Sequence, residues 1–275
     1  MKFGIDISAW QTGVDYSKAV GDGVSFAILR AGYGRNQASG KDKMFDAHYA
    51  EFKHLGIPLG AYQYSYASSV EAAAAEAEAC VAWLKGKDLQ LPVFYDLEDP
   101  SVAVAGKETI TQMALAWCSI LNMAGYSAGV YANQYWFDTY IDAKTIANAG
   151  YALWCASWGT KQPDLPGLAM WQFGGETNKI RSNQVAGIGI CDQNYLIDES
   201  ILAGDKSNPV LQETGVTKPD KDVAKITLSF SESIRIQAML CDHQLLSKDD
   251  VDGIVGKKSA DALSKFADMV KASID

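Results

Sequence analysis

Up to about residue 200, short β-type segments recur at fairly regular intervals with helical stretches between most of them, a pattern that points to a β/α-repeating domain. The candidate strands are FGIDIS (3–8), FAILRAG (26–32), LGAYQYSYA (59–67), LPVFYDLE (91–98), SAGVYAN (127–133), YALWCAS (151–157), LAMWQFG (168–174) and CDQNYLI (191–197). Eight such strands predict a closed barrel. Amphipathic, Ala- and Glu-rich stretches at 45–56 and 70–86, and another from about 108 to 125, each end at glycine and read as helices. Past Thr160 the helical signals weaken and turns join the last strands, so the expected fold is an irregular β/α (TIM-like) barrel and not a regular eightfold repeat.

A stretch rich in Gly, Pro, Ser, Asp and Lys at 203–222 reads as a linker, which divides the 275 residues into a barrel over 1–202 and a small helical unit over 223–275. The latter is near the lower size limit for unaided folding. With 24 basic and 33 acidic residues the formal net charge is −9, which argues against nucleic acid as a partner, because tracking a phosphate backbone needs clustered Lys and Arg. No apolar run is long enough to span a bilayer, and Met1-Lys2 leads directly into a strand, so neither a membrane span nor a signal peptide is expected. Cys80, Cys118, Cys155, Cys191 and Cys241 are widely spaced and mostly set in apolar patterns, as buried free thiols are. With no C-x-x-C pair and only three histidines, no metal is assigned.

The segment LPVFYDLEDP carries the most chemical information, since an apolar run is interrupted by Asp96, Glu98 and Asp99 and stopped by Pro100. In a strand, residues i and i+2 point to one face, so Asp96 and Glu98 project together with backbone positions about 6.6–6.8 Å apart. Two acids that close in a desolvated cleft cannot both ionise freely, so one stays protonated beside an ionised partner. Glycosidic cleavage uses such a pair. Activity is then expected to be bell-shaped, with limbs at about 4 and roughly 6–7. Chemistry in β/α barrels sits at the C-terminal strand ends, where Glu98 falls. Asp6 and Asp192 lie on the first and last candidate strands, which become neighbours if the barrel closes; four acids then surround one cleft.

Other readings of the same residues stand beside this one. An Asp-x-Glu pair also occurs at solvated strand ends or as a partner for Arg, and two-metal phosphodiesterases place the same pattern on a strand. EDTA separates the metal reading from a glycosidase. A wall-binding protein without activity is a third reading, against which the retention of Asp6, Asp96, Glu98 and Asp192 argues. The aromatics Trp10, Tyr33, Tyr62, Tyr64, Tyr66, Tyr131, Trp154, Trp158 and Trp171, with polar Gln63, Asn133 and Gln172, suit sugar rings, which offer apolar faces and hydroxyl edges.

In GIDISAWQ, GAYQYSYA, VFYDLED, GVYAN, LWCASWG followed by MWQF, and CDQNYL, the chain resembles the family 25 glycoside hydrolases, the Chalaropsis-type lysozymes found as phage endolysins and bacterial autolysins. The resemblance covers roughly residues 3–200. It implies that Glu98 is the general acid, Asp96 its ionised companion, and Asp6 and Asp192 the rest of an acidic cleft, with Tyr62, Tyr131 and Trp171 lining sugar subsites. Tyr64 and Asn133 are added to that set as substrate-binding candidates. The implied bond is the β-1,4 link between N-acetylmuramic acid and N-acetylglucosamine in bacterial peptidoglycan, the implied fold about five β/α units and three final strands, and no cofactor is implied.

The family often reads Gly-x-Tyr-His-Phe where this chain has Gly60-Ala61-Tyr62-Gln63-Tyr64, which leaves subsite polarity and pH profile open. Toward the C-terminus, SIRIQAMLCDHQLL and VDGIVGKKSADALSKFADMV resemble the small helical peptidoglycan-binding domain, with Asp252, Gly253 and Gly256 carrying its turn. The expected setting is synthesis in the bacterial host cytoplasm, release through a phage holin and action on the cell wall; an autolysin exported by another route is the alternative.

Overall fold

The computed structural model describes residues 1–203, 261–262 and 264–265. The chain divides into two units, Met1–Val210 and Leu211–Asp275. The linker expected at 203–222 and the helical unit expected at 223–275 lie, apart from Ala203 and the four positions near the C-terminus, outside the described residues.

Five β/α units come first. Strand β1 (Lys2–Ile7) is followed by helix α1 (Tyr16–Gly21), β2 (Ala27–Tyr33) by α2 (Phe45–His54), β3 (Leu59–Tyr64) by α3 (Val70–Leu84), β4 (Val93–Asp96) by α4 (Gly106–Met123), and β5 (Ala128–Asn133) by α5 (Gln134–Thr139) and α6 (Ala143–Asn148). Strands β6 (Ala152–Ala156) and β7 (Leu168–Gly174) then follow without a helix between them, and a small hairpin of β8 (Gln184–Val185) and β9 (Gly189–Ile190) leads to β10 (Asp192–Leu196). The barrel closes in the order β1-β10-β7-β6-β5-β4-β3-β2, with β10 antiparallel to both its neighbours. All eight strands expected from the sequence are present, and the irregularity after Thr160 is the missing α-helices.

The local chemistry accounts for the helices. Ser69 caps α3 by accepting from Ala72 N, and Glu71 in the first turn complements the helix dipole. Helices α2 and α4 are each followed by a glycine at positive φ, Gly56 (73°) and Gly125 (88°), where a side chain would be strained. Three helices and the small hairpin escape the sequence reading. Helices α1, α5 and α6 have six residues each, too few for an apolar period to show, although Asp15, Asn133 and Asp142 cap them.

Inside the barrel, Phe26, Ile28, Leu91, Phe94, Trp154, Met170 and Leu196 form a buried floor. Trp154 packs edge-on to Phe94, with centroids 5.2 Å apart, and against Tyr131 at 4.3 Å. This apolar plug fills the barrel and leaves only its C-terminal mouth open for polar groups. Cys80, Cys118, Cys155 and Cys191 are free and buried, as expected; Cys241 lies outside the described residues. Among the described residues no helix is long and apolar enough to cross a membrane.

Candidate active site

Barrel closure places Asp6 directly opposite Asp192 in the antiparallel β1–β10 register. Across the mouth, Asp96 ends β4, and Glu98 follows it past the last strand position. All four carboxyls line one cleft, together with Ser8, Trp10, Gln11, Arg30, Tyr62, Tyr64, Tyr131, Trp154 and Gln172. Among the described residues no group of three or more His, Cys, Asp or Glu side chains is arranged to hold a metal ion.

The acids differ in how they are held. Asp6 Oδ2 accepts from Gln172 Nε2 at 3.0 Å and Asn194 Nδ2 at 2.8 Å. Those amides are fixed in turn: Gln172 Oε1 accepts from Tyr131 Oη and Trp158 Nε1, and Asn194 Oδ1 accepts from Trp154 Nε1. Burial raises Asp6 to about 6, while these two hydrogen bonds oppose the rise and the charge of Glu98 adds to it. Asp192 is pushed to about 8, chiefly by burial and then by Asp6, Glu98 and Glu176. Room for its side chain depends on Gly175, where a Cβ would collide with Asp192 Oδ1 and the Trp158 ring.

Asp96 is 3% exposed and its Oδ1 is buried without a hydrogen-bond partner. Burial first, then the charges of Glu98 and Asp6, hold it well above the usual carboxylate range, with Arg30 opposing. Glu98 is less enclosed. Burial raises it, and Asn133 Nδ2, 3.4 Å from Oε2, opposes the rise. The Asn133 amide is oriented because its Oδ1 caps α5 through Trp136 N. Burial thus raises both members of the pair, and the charge of Glu98 adds to the rise at Asp96.

The substrate-binding candidates divide. Tyr62, Tyr64 and Tyr131 line the cleft, and Asn133 reaches it through Glu98. Trp171 does not. On β7, Met170 and Gln172 face inward, so Trp171 stands on the outer face, where its Nε1 donates to Ser157 O and its ring packs against Phe173 and Tyr195. Trp154 and Gln172 occupy the inward positions instead.

Gln63 needs the same correction. Alternation turns it away from Tyr62 and Tyr64; its Nε2 donates to Gly34 O and Glu76 O, and its Oε1 accepts from Trp117 Nε1 at 2.7 Å. It joins strand to helices behind the barrel wall and adds nothing to subsite polarity. Arg30 and Asn194 went unread as site residues, yet each carried a signal. Arg30 is a lone charge in the apolar run FAILRAG, and Asn194 is two residues from Asp192 on the same strand.

The comparisons agree with this geometry. The model for Glycosyl hydrolases family 25 matches residues 5–181, a span that contains Asp6, Asp96 and Glu98 and stops short of Asp192. Lysozyme M1 of Streptomyces globisporus is 31% identical over 180 residues, covering 62% of this chain and 60% of that protein, so the chain spans less than two thirds of that lysozyme's length. Among solved structures, the CTP1L endolysin is similar at 28% identity and a TM-score of 0.62, over 73% of this chain and 69% of that one. The bacterial lysozyme of Streptomyces coelicolor shares the fold, with 23% identity and a TM-score of 0.58 over 76% of this chain and 97% of that one.

Proposed function

The chain belongs to the family 25 glycosyl hydrolases, and on that footing we propose that it is an N-acetylmuramidase, cutting the β-1,4 bond between N-acetylmuramic acid and N-acetylglucosamine in bacterial peptidoglycan. The observation that carries this reading is the Asp96–Glu98 pair at the C-terminal end of β4, facing Asp6 and Asp192 across a cleft lined by Tyr62, Tyr64, Tyr131 and Trp10.

Glu98, at the more open edge, is the donor to the leaving glycosidic oxygen. Asp96, deeper in the cleft, faces the anomeric centre and stabilises the positive charge that develops there. The pair holds its protons jointly. A sugar over the cleft desolvates Glu98 and favours its protonated form, while growing positive charge beside Asp96 favours its anion. Asp6 and Asp192 supply further acidity around the reacting centre, and the exposed Trp10 offers a sugar platform at the rim. The CTP1L endolysin and the Streptomyces lysozymes are compatible with either a phage or a bacterial origin. For residues 223–275, the sequence motif carried by Asp252, Gly253 and Gly256, which resembles that of the small peptidoglycan-binding domain, supports a wall-binding role that would raise the local concentration of the barrel at its substrate.

The test is substitution at the pair. Glu98→Gln is expected to keep the fold and lower wall lysis at least ~10²-fold, the loss that follows removal of a positioned general acid. Asp96→Asn is expected to be similarly damaging. Near-normal clearing by either variant would remove the pair from the mechanism, and activity lost only on substitution of Asp99 would place the chemistry elsewhere.

A further inference from the structure

Arg30 is the one Lys, Arg or His side chain lining a cleft that holds four carboxyls, among the described residues. It stands on β2, paired with Tyr62 of β3, immediately before a register shift. Its Nε donates to Asp42 Oδ2 at 2.7 Å, and the Asp42 side chain is fully buried. Asp42 is itself fixed: Oδ2 also accepts from Ala9 N at 3.1 Å, and Oδ1 accepts from Met44 N at 2.8 Å. With Asp42 held by these bonds, the Nε contact ties the guanidinium to a fixed carboxylate. The same carboxylate ties down the Ser8–Gln11 turn that carries Trp10 to the rim.

We propose that Arg30, locked in place by Asp42, is a positioning residue that keeps Asp96 available as an anion. The inference rests on the muramidase reading of the Asp96–Glu98 pair. Around Asp96 stand Tyr62 and Tyr64 from β3, Tyr131 from β5, Asp6 from β1, Asp192 from β10, and Glu98 and Asp99 beyond β4. Every ionisable group in that set is neutral or negative, and Arg30 is the positive charge beside them. Burial and the carboxylates therefore drive a proton onto Asp96, whose Oδ1 has no hydrogen-bond partner to oppose this. The guanidinium supplies the opposing field. Asp42, which does not line the cleft, sets its aim.

Removing the charge makes the anion of Asp96 costlier, so the acidic limb of kcat/KM must move to higher pH. The experiment measures kcat/KM on soluble peptidoglycan glycan fragments from pH 3 to 9 for wild type, Arg30→Met and Arg30→Lys. In Arg30→Met the acidic limb is expected to rise by about one pH unit, about a tenfold loss on that limb, with a smaller change at the optimum. Arg30→Lys, which restores a positive charge, is expected to bring the limb back toward the wild-type position. If Arg30→Met does not fold, Arg30→Gln, which keeps a donor for Asp42, is read in its place. A profile that superimposes on wild type after scaling would overturn the proposal, leaving Arg30 only a structural partner of Asp42. Full activity in Asp96→Asn would instead overturn the reading of the pair itself, so the two failures are distinguishable.

Discussion

Asp192 illustrates what the cleft costs the fold. Its carboxyl sits near 8 in the native state against an ordinary 3.8, and Asp6 sits near 6, so between about pH 4 and 8 the native chain holds more protons than the unfolded one. Stability contributed by these acids is present below pH 4 and is lost as pH rises through their native values. Asp192→Asn removes one titrating group, and thermal unfolding should show it melting about 3 °C above wild type at pH 8 and level with it at pH 4. A variant less stable than wild type at pH 8 would mean that Asp192 is held as a stabilised anion. At this scale the sequence was readable where a charge broke an apolar strand, as at Asp6, Asp96 and Asp192. It did not reach the surroundings of the Asp96–Glu98 pair, because depth in the cleft and the neighbouring Arg30 are not encoded by spacing along one strand. The bell-shaped rate profile should accordingly rise above the ordinary carboxylate range of about 4, since Asp96 must lose its proton to act.

Among the elements, β3 shows how alternation sorts roles once the inward face is known. Tyr62 and Tyr64 enter the cleft, while Gln63 is fully buried behind the wall and bonded to Gly34, Glu76 and Trp117. Gln63→Ala removes the acceptor of the buried Trp117 indole N–H and the donor to Gly34 O, an expected loss of about 3 kcal/mol in denaturant unfolding. Its pH–rate profile should keep the wild-type shape, and a displaced optimum would put Gln63 back among the groups that tune the cleft. On β7 the same rule places Gln172 inward and Trp171 outward. The sequence could supply the two-residue period but not its phase, which is set by closure of the whole barrel. Helices α1, α5 and α6 were illegible for another reason, being shorter than two turns.

Over the whole molecule, the legible part was the part that repeats. Eight apolar segments sufficed to infer closure, and closure brought Asp6 to Asp192 from opposite ends of the barrel sequence. That single register turns two distant motifs and one strand end into a cleft. The loss of helices after β6 leaves the last strands to be closed by the antiparallel β10, which supplies both Asp192 and Asn194 to the site. The most direct test of this cleft as a muramidase site is to identify the ends it creates. Purified peptidoglycan digested by the protein, reduced with borohydride and analysed by mass spectrometry should yield reduced N-acetylmuramic acid ends, and digestion by Glu98→Gln should yield almost none. Reduced N-acetylglucosamine ends, or intact glycan strands with other bonds cut, would contradict it.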